Sequence, residues 1–73
     1  MRELEILAYF IQRKGRNVNR WDLIDELWGD SLEQPEYTLN THINRLRDRL
    51  RRANANVEIT TIRGIGYKLE VKQ

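Results

Sequence analysis

The sequence has 73 residues, no cysteine, one histidine and a formal net charge of +2, with 33% of its residues charged. One small domain is the most that such a chain can form, and disulfides, thiol catalysis and cysteine-ligated zinc are excluded. No apolar run approaches the roughly 20 residues that cross a bilayer, and the acidic residues after Met1 do not suit a signal peptide. We therefore expect one globular domain over residues 1–73, cytoplasmic, without membrane contact, metal or cofactor.

The net charge conceals an uneven distribution along the chain. Residues 1–36 contain five basic and eight acidic side chains, whereas residues 37–73 contain eight basic and three acidic ones. A basic half favours a polyanionic partner such as nucleic acid. Because a small domain can also be lopsided in charge by chance, this pattern alone leaves the partner open.

The first predicted helix covers about residues 2–14. Its main apolar row, with the i, i+3, i+4, i+7 spacing of an amphipathic helix, consists of Leu4, Leu7, Ala8 and Ile11. Ile6 and Phe10 form a second row beside it. A helix with apolar residues over so much of its surface is expected to pack against two separate partners.

A second, shorter helix is predicted over residues 20–28, after a minimal strand at 17–19. Asn19 is placed to cap this helix, since its side-chain oxygen can accept from the amides of the next turn. Trp21 and Trp28 repeat at helical spacing with the aliphatic residues of the segment, so we expect both in the core.

The longest helix is predicted over about residues 36–53, after an acidic loop at 29–35. A narrow apolar seam runs along it and consists of Leu39, Ile43, Leu46 and Leu50. The remaining circumference holds five arginines and only one acid, Asp48. Solvated helices usually mix charges to gain i,i+4 pairs, so this composition favours an anionic partner, although a merely solvated face is the alternative.

The chain closes with a hairpin predicted at about residues 57–71, because the apolar periodicity changes there from helical to two. Its tip carries Arg63 between the strands, followed by Gly64 and Gly66. Glycines of this kind serve ordinary turns. An arginine on such a turn can also enter a narrow minor groove, where the potential is negative.

His42 is the only histidine and the only candidate catalytic base. It has no serine or cysteine partner at a convincing spacing. We therefore expect no enzymatic activity, and a histidine among arginines more often contacts phosphate or solvent.

Three blocks of the sequence resemble the OmpR/PhoB-type winged-helix effector domain of bacterial response regulators. They are NRWDLIDELWG at 19–29, TLNTHINRLR at 38–47 and TIRGIGY at 61–67. The order and spacing match those of the family. The resemblance implies an α+β winged helix-turn-helix, with three helices followed by a C-terminal β-hairpin wing, that regulates transcription in two-component systems.

The resemblance also implies a site and partners. Contacts with double-stranded promoter DNA are expected from Thr38, Asn40, Thr41, His42, Asn44, Arg45 and Arg47 on the long helix, and from Thr61, Arg63 and Tyr67 on the wing. The loop at 29–35 matches the segment that in this family can touch RNA polymerase. The alternative is a winged-helix protein-interaction module whose arginine face meets an acidic partner.

The sequence departs from the family pattern in three places. Tyr37 stands where an arginine is common, and Asn44 stands where a basic residue is frequent. The family's domain normally opens with a small antiparallel sheet, whereas here the first predicted helix begins almost at Met1, so we expect either a trimmed piece or an unusually short natural form. We therefore expect the row of Ile6 and Phe10 to be exposed or to mediate self-association.

Overall fold

The computed structural model describes residues 2–72 and has an α+β architecture of three helices and one sheet. In chain order the elements are α1 (Arg2–Gln12), β1 (Val18–Asn19), α2 (Arg20–Trp28), α3 (Pro35–Arg52), β2 (Val57–Ile62) and β3 (Gly66–Val71). The antiparallel sheet has the strand order β1-β3-β2. The predicted winged helix is confirmed.

The core lies where the three helices meet one face of the hairpin. Its buried apolar residues are Ile6, Phe10, Val18, Leu23, Ile24, Leu39, Ile43, Leu46, Ile59 and Tyr67. The predicted seam of α3 is confirmed: three of its four residues are buried and Leu50 packs partly buried against them. Since burial of one side of α3 leaves its opposite side open, the seam also decides which side chains can meet a partner.

The prediction for the apolar rows of α1 was wrong. Ile6 and Phe10 are completely buried, whereas Leu4 and Ile11 are 60% and 57% exposed. Both rows have helical spacing, so the sequence pattern could not rank them. Packing against α2 and α3 buries the row that contains the large side chain of Phe10, and the other row faces outward.

The prediction that both tryptophans are core residues was wrong for Trp21 and only partly met by Trp28. Trp21 is 50% exposed, and Trp28 is half-buried at the edge of the core. On the short helix α2 the buried positions belong to Leu23 and Ile24. A nine-residue helix turns only one narrow stripe towards the core, and both tryptophans lie on the same side of that stripe because they are seven residues apart.

The ends of the helices follow local chemistry. Asn19 caps α2 as predicted: its side-chain oxygen accepts a hydrogen bond from the backbone N–H of Trp21 at 2.8 Å. Helix α1 ends at Gln12, two residues before the predicted end, because Lys14 and Gly15 already have left-handed backbone angles. Pro35 opens α3 at a position where its missing N–H is not needed.

The two glycines of the hairpin serve different purposes. Gly64 has a φ of +78° in the turn, as the prediction of turn chemistry requires. Gly66 instead allows a close approach, since a Cβ there would collide with the Val18 carbonyl oxygen. The backbone N–H of Arg20 also donates to the Ile65 carbonyl at 3.1 Å. These contacts fix the base of the wing to the start of α2.

None of the helices within residues 2–72 combines the length and apolar character that a membrane span requires.

Candidate nucleic-acid interface

The open side of α3 is the first part of the candidate site. This helix has 18 residues and is therefore about 27 Å long. Asn40, Asn44 and Arg45 are exposed there, on the side away from the buried seam. Amide and guanidinium groups of this kind can donate to and accept from base edges.

The two threonines predicted for the site are less accessible. Thr38 and Thr41 are both half-buried. The Thr41 hydroxyl donates to the Tyr37 carbonyl of the preceding turn at 3.0 Å, a common local bond for threonine in a helix. The hydroxyl oxygen can still accept a hydrogen bond, while the methyl group remains available for apolar contact.

His42 lies on the side of α3 that faces α1 and not on its open side. Its Nδ1 is 2.5 Å from a carboxylate oxygen of Glu3, a residue only 6% exposed. The hydrogen bond with His42 holds the pKa of Glu3 below its ordinary value, against the opposing effect of burial, and the positive charge of Arg49 acts in the same direction as the hydrogen bond. Within residues 2–72, His, Asp and Glu side chains form no group of three that could hold a metal ion.

Arg47 turns from α3 towards the hairpin. Its Nε donates to the Ile59 carbonyl at 3.1 Å, and its Nη2 donates to the Thr61 hydroxyl at 2.8 Å. Its Nη1 donates to the Asn44 side-chain oxygen at 3.3 Å. All three guanidinium nitrogens thus have a protein partner, which leaves two N–H groups of the fork uncommitted.

The wing supplies the second part of the site. Arg63 is exposed at the tip, next to the turn residue Gly64. Thr61 is exposed on β2, whereas Tyr67 on β3 is only 7% exposed. The ring of Tyr67 lies beneath the Arg47 guanidinium, with 5.9 Å between the guanidinium carbon and the ring centroid. Tyr67 therefore offers a partner its edge at most.

The arginines of the basic half differ in how far they are neutralised. Arg51 and Arg52 both pair with Asp48 at 3.0 Å. In the part of the chain that the structure describes, Arg45 and Arg63 make neither an ion pair nor a side-chain hydrogen bond. Arg49 also makes neither, but its charge acts on the buried carboxylate of Glu3. Arg45 and Arg63 are therefore the arginines of this half that are most available to an anionic ligand.

Two residues of this region were not predicted from the sequence to belong to the site. Tyr37 is 70% exposed at the start of α3, on the open side, and its helical phase relative to the seam could have placed it there. Glu3 is buried and holds His42. The signal for Glu3 was its i, i+3, i+7 relation to Ile6 and Phe10, the row that forms the core.

A helix with a polar open face, followed by a hairpin that carries an exposed arginine at its tip, defines a winged-helix domain. Comparison with protein families agrees with this architecture. The family described as "Transcriptional regulatory protein, C terminal" matches residues 1–69.

Individual relatives point to the same family. The sensory transduction protein RegX3 of Mycolicibacterium smegmatis is 39% identical over 71 residues, which are 96% of this chain and 31% of that protein. RegX3 of Mycobacterium leprae is also 39% identical, and the match covers 36% of it. The heme response regulator HssR of Staphylococcus aureus strain Newman is 39% identical over 69 residues, with 94% of this chain and 31% of HssR covered.

The chain belongs to this OmpR/PhoB-type family of C-terminal effector domains of transcriptional regulators. It spans about a third of the length of the relatives that it matches.

Proposed function

We propose that the domain binds double-stranded promoter DNA in a sequence-specific manner, as the output domain of a two-component transcriptional regulator, without catalysing a reaction. The observation that carries the proposal is the placement of two exposed guanidinium groups that have no ion pair among residues 2–72, Arg45 on the open side of α3 and Arg63 at the wing tip. They lie on two separate projections of one small domain, an arrangement that suits two neighbouring grooves of a duplex.

In this proposal α3 enters the major groove. The groove is about 12 Å wide and admits one helix. Arg45 donates two hydrogen bonds from its guanidinium group to a guanine edge, while Asn40 and Asn44 contact base edges or the DNA backbone beside it. Thr38, Thr41 and Tyr37 lie near the start of the helix, where they are suited to phosphate contacts. His42 takes part only through the α3 backbone that it holds against Glu3.

The wing contacts the adjacent minor groove. Arg63 enters it from the turn, and Thr61 and the edge of Tyr67 reach the backbone nearby. A guanidinium in a minor groove responds to groove width, so A·T-rich sequence next to the α3 site should strengthen binding.

Two further partners are proposed for other surfaces. The loop at 29–35 is exposed over most of its length and is proposed to contact RNA polymerase. The outward row of α1, with Leu4 and Ile11, is proposed to mediate self-association. A cytoplasmic location follows from these partners and is part of the same proposal.

Selection of binding sites from a random duplex library, followed by fluorescence-anisotropy titration, tests the DNA proposal. We expect one enriched sequence, bound at least about 10³-fold more tightly than random duplex. The variant Arg45→Ala with Arg63→Ala should lose that preference. The matched control, Arg51→Ala with Arg52→Ala, removes the same charge from residues that already pair with Asp48 and should retain the preference.

Failure to enrich any sequence would contradict the proposal. If both double variants then lost equal affinity for random duplex, only nonspecific attraction to phosphate would remain. In that case the protein-interaction alternative, with an acidic partner on the arginine face, would account better for the open side of α3.

A further inference from the structure

Arg47 is the residue that joins the two projections of the candidate interface. Its hydrogen bonds to the Ile59 carbonyl and the Thr61 hydroxyl run from the middle of α3 to β2. Among residues 2–72, these are the only side-chain hydrogen bonds between α3 and the sheet. We propose that Arg47 is a positioning residue that fixes the orientation of the wing relative to α3, so that the contact of Arg63 with DNA depends on Arg47.

The geometry of Arg47 suits this role better than that of a simple phosphate contact. Nitrogens on three sides of its planar fork donate to three different groups, and the fork lies over the Tyr67 ring. A guanidinium so bonded is held in one orientation. The third bond, to Asn44, ties an exposed residue of α3 into the same network.

Without Arg47 the orientation of the wing relative to α3 would be held less firmly. The base of the hairpin is fixed to the start of α2 by the pairing of β1 with β3 and by the bond from Arg20 to Ile65. The contact with α3 otherwise consists of apolar packing around Ile59. Apolar packing resists separation but is not directional, whereas hydrogen bonds fix an angle.

A fixed angle matters if two grooves are to be contacted at once. When one projection has bound, the other gains from a high effective concentration only if its geometry already fits. Each rotational freedom that binding must remove reduces the net affinity. This proposal rests on the proposed DNA function, because it concerns how the wing contributes to that binding.

A double-mutant cycle on an A·T-flanked duplex of the selected sequence tests the coupling. Arg63→Ala should weaken binding by about tenfold or more in the parent protein. In the Arg47→Lys background the same change should weaken binding by less than about threefold. A wing whose orientation is no longer fixed already gains less from the contact of Arg63 with DNA. Lysine keeps the charge but cannot make the three-sided set of bonds, so loss of electrostatic attraction is not the cause.

Arg51→Lys is the matched control. Arg51 lies one turn further along α3, and its guanidinium bonds only to Asp48 of the same helix. The Arg63→Ala penalty should remain about tenfold in this background. Equal penalties in the parent and in Arg47→Lys would overturn the proposal, and so would an equal loss of coupling in Arg51→Lys.

Amide hydrogen exchange of the free protein gives a readout that does not need DNA. Arg47→Lys should speed exchange in β2 and β3 by about tenfold while α1 and α2 remain as in the parent. If Arg63→Ala has no effect in the parent, the proposed wing contact is wrong, and exchange alone decides the positioning role. Unchanged exchange in β2 and β3 would overturn that role whatever the DNA result.

Discussion

Arg45 and Arg47 lie two residues apart on α3, yet they have different surroundings. Arg45 is exposed and makes no ion pair among the described residues, whereas Arg47 bonds to β2 with two nitrogens. The difference arises because successive residues of a helix differ by about 100° in direction. At the residue scale, then, the chemistry of an arginine is decided by what lies opposite it.

The first prediction at this scale concerns Arg45. Arg45→Ala should cost about 1–3 kcal/mol on the selected sequence and less on random duplex, because the proposed contact is with a base edge. Arg45→Lys should recover only part of the loss, since lysine keeps the charge but not the bidentate fork. Anisotropy titration measures both. Equal losses on the two duplexes would reduce Arg45 to a phosphate contact.

The second prediction concerns the buried carboxylate of Glu3. Because its pKa is lowered in the folded protein, chiefly by the hydrogen bond with His42, the folded state binds fewer protons than the unfolded state in acid. The stabilisation is therefore present above the ordinary pKa of 4.5 and is lost as the pH falls through the lowered value. Urea unfolding at a series of pH values should show this loss.

Two glutamine variants test the assignment of this acid dependence. Glu3→Gln should flatten the fall in stability below about pH 4.5. Glu5→Gln, an exposed position on the same helix whose carboxylate pairs with Arg2, should keep the fall of the parent. The assignment to Glu3 fails if both variants titrate like the parent.

At the scale of elements, α3 belongs to both the core and the interface. Its seam is buried by α1, α2 and β2, and the same burial orients Asn40, Asn44 and Arg45 outward. The wing likewise belongs to both the core and the interface, since Ile59 is a core residue and the tip carries Arg63. Core packing thus sets the direction of the side chains that are proposed to contact DNA.

A truncation in the seam should therefore destroy both stability and binding. Leu46 is 2% exposed, so Leu46→Ala should cost about 2–5 kcal/mol. For a domain whose total stability is about 5–10 kcal/mol, this is a large part. Thermal unfolding followed by circular dichroism gives the measurement.

Leu4→Ala provides the control for Leu46. Leu4 is 60% exposed on α1, so the same truncation there should cost less than about 0.5 kcal/mol. A Leu46→Ala variant that melts with the parent would mean that the seam is placed wrongly.

At the scale of the whole molecule, acidic and basic side chains are unevenly distributed. Acidic residues predominate in α2 and the loop after it, whereas the arginines predominate in α3. The outward row of α1 adds an apolar strip with Leu4 and Ile11. The molecule thus has a surface suited to an anion and, next to it, exposed apolar side chains, since Leu4 lines the same groove as Arg45 and Arg49.

The prediction at this scale is self-association through the α1 strip. Sedimentation equilibrium at rising concentration should show a dimer, because pairing two strips removes apolar surface from water. Leu4→Glu with Ile11→Glu should restore the monomer. Ile6 and Phe10, which the sequence suggested for this role, are buried and take no part. A parent protein that stays monomeric at the highest concentration would exclude the interface.

The sequence by itself determined the order of the elements, the seam of α3, the cap at Asn19 and the turn at Gly64. All of these follow from local chemistry or from a periodicity that only one structure satisfies. It also placed Arg45 and Arg63 on exposed surfaces, because the seam and the turn fix their directions. The resemblance to a known family rested on the same local blocks.

Only the tertiary structure decided between patterns that are locally equivalent. Two apolar rows of α1 had the same spacing, and contact with α2 and α3 selected Ile6 and Phe10. The pairings of Glu3 with His42 and of Arg47 with Thr61 join residues far apart in the chain. A polar side chain near a helix surface can face solvent, a neighbouring element or a ligand, and its partner is known only when the elements are packed together.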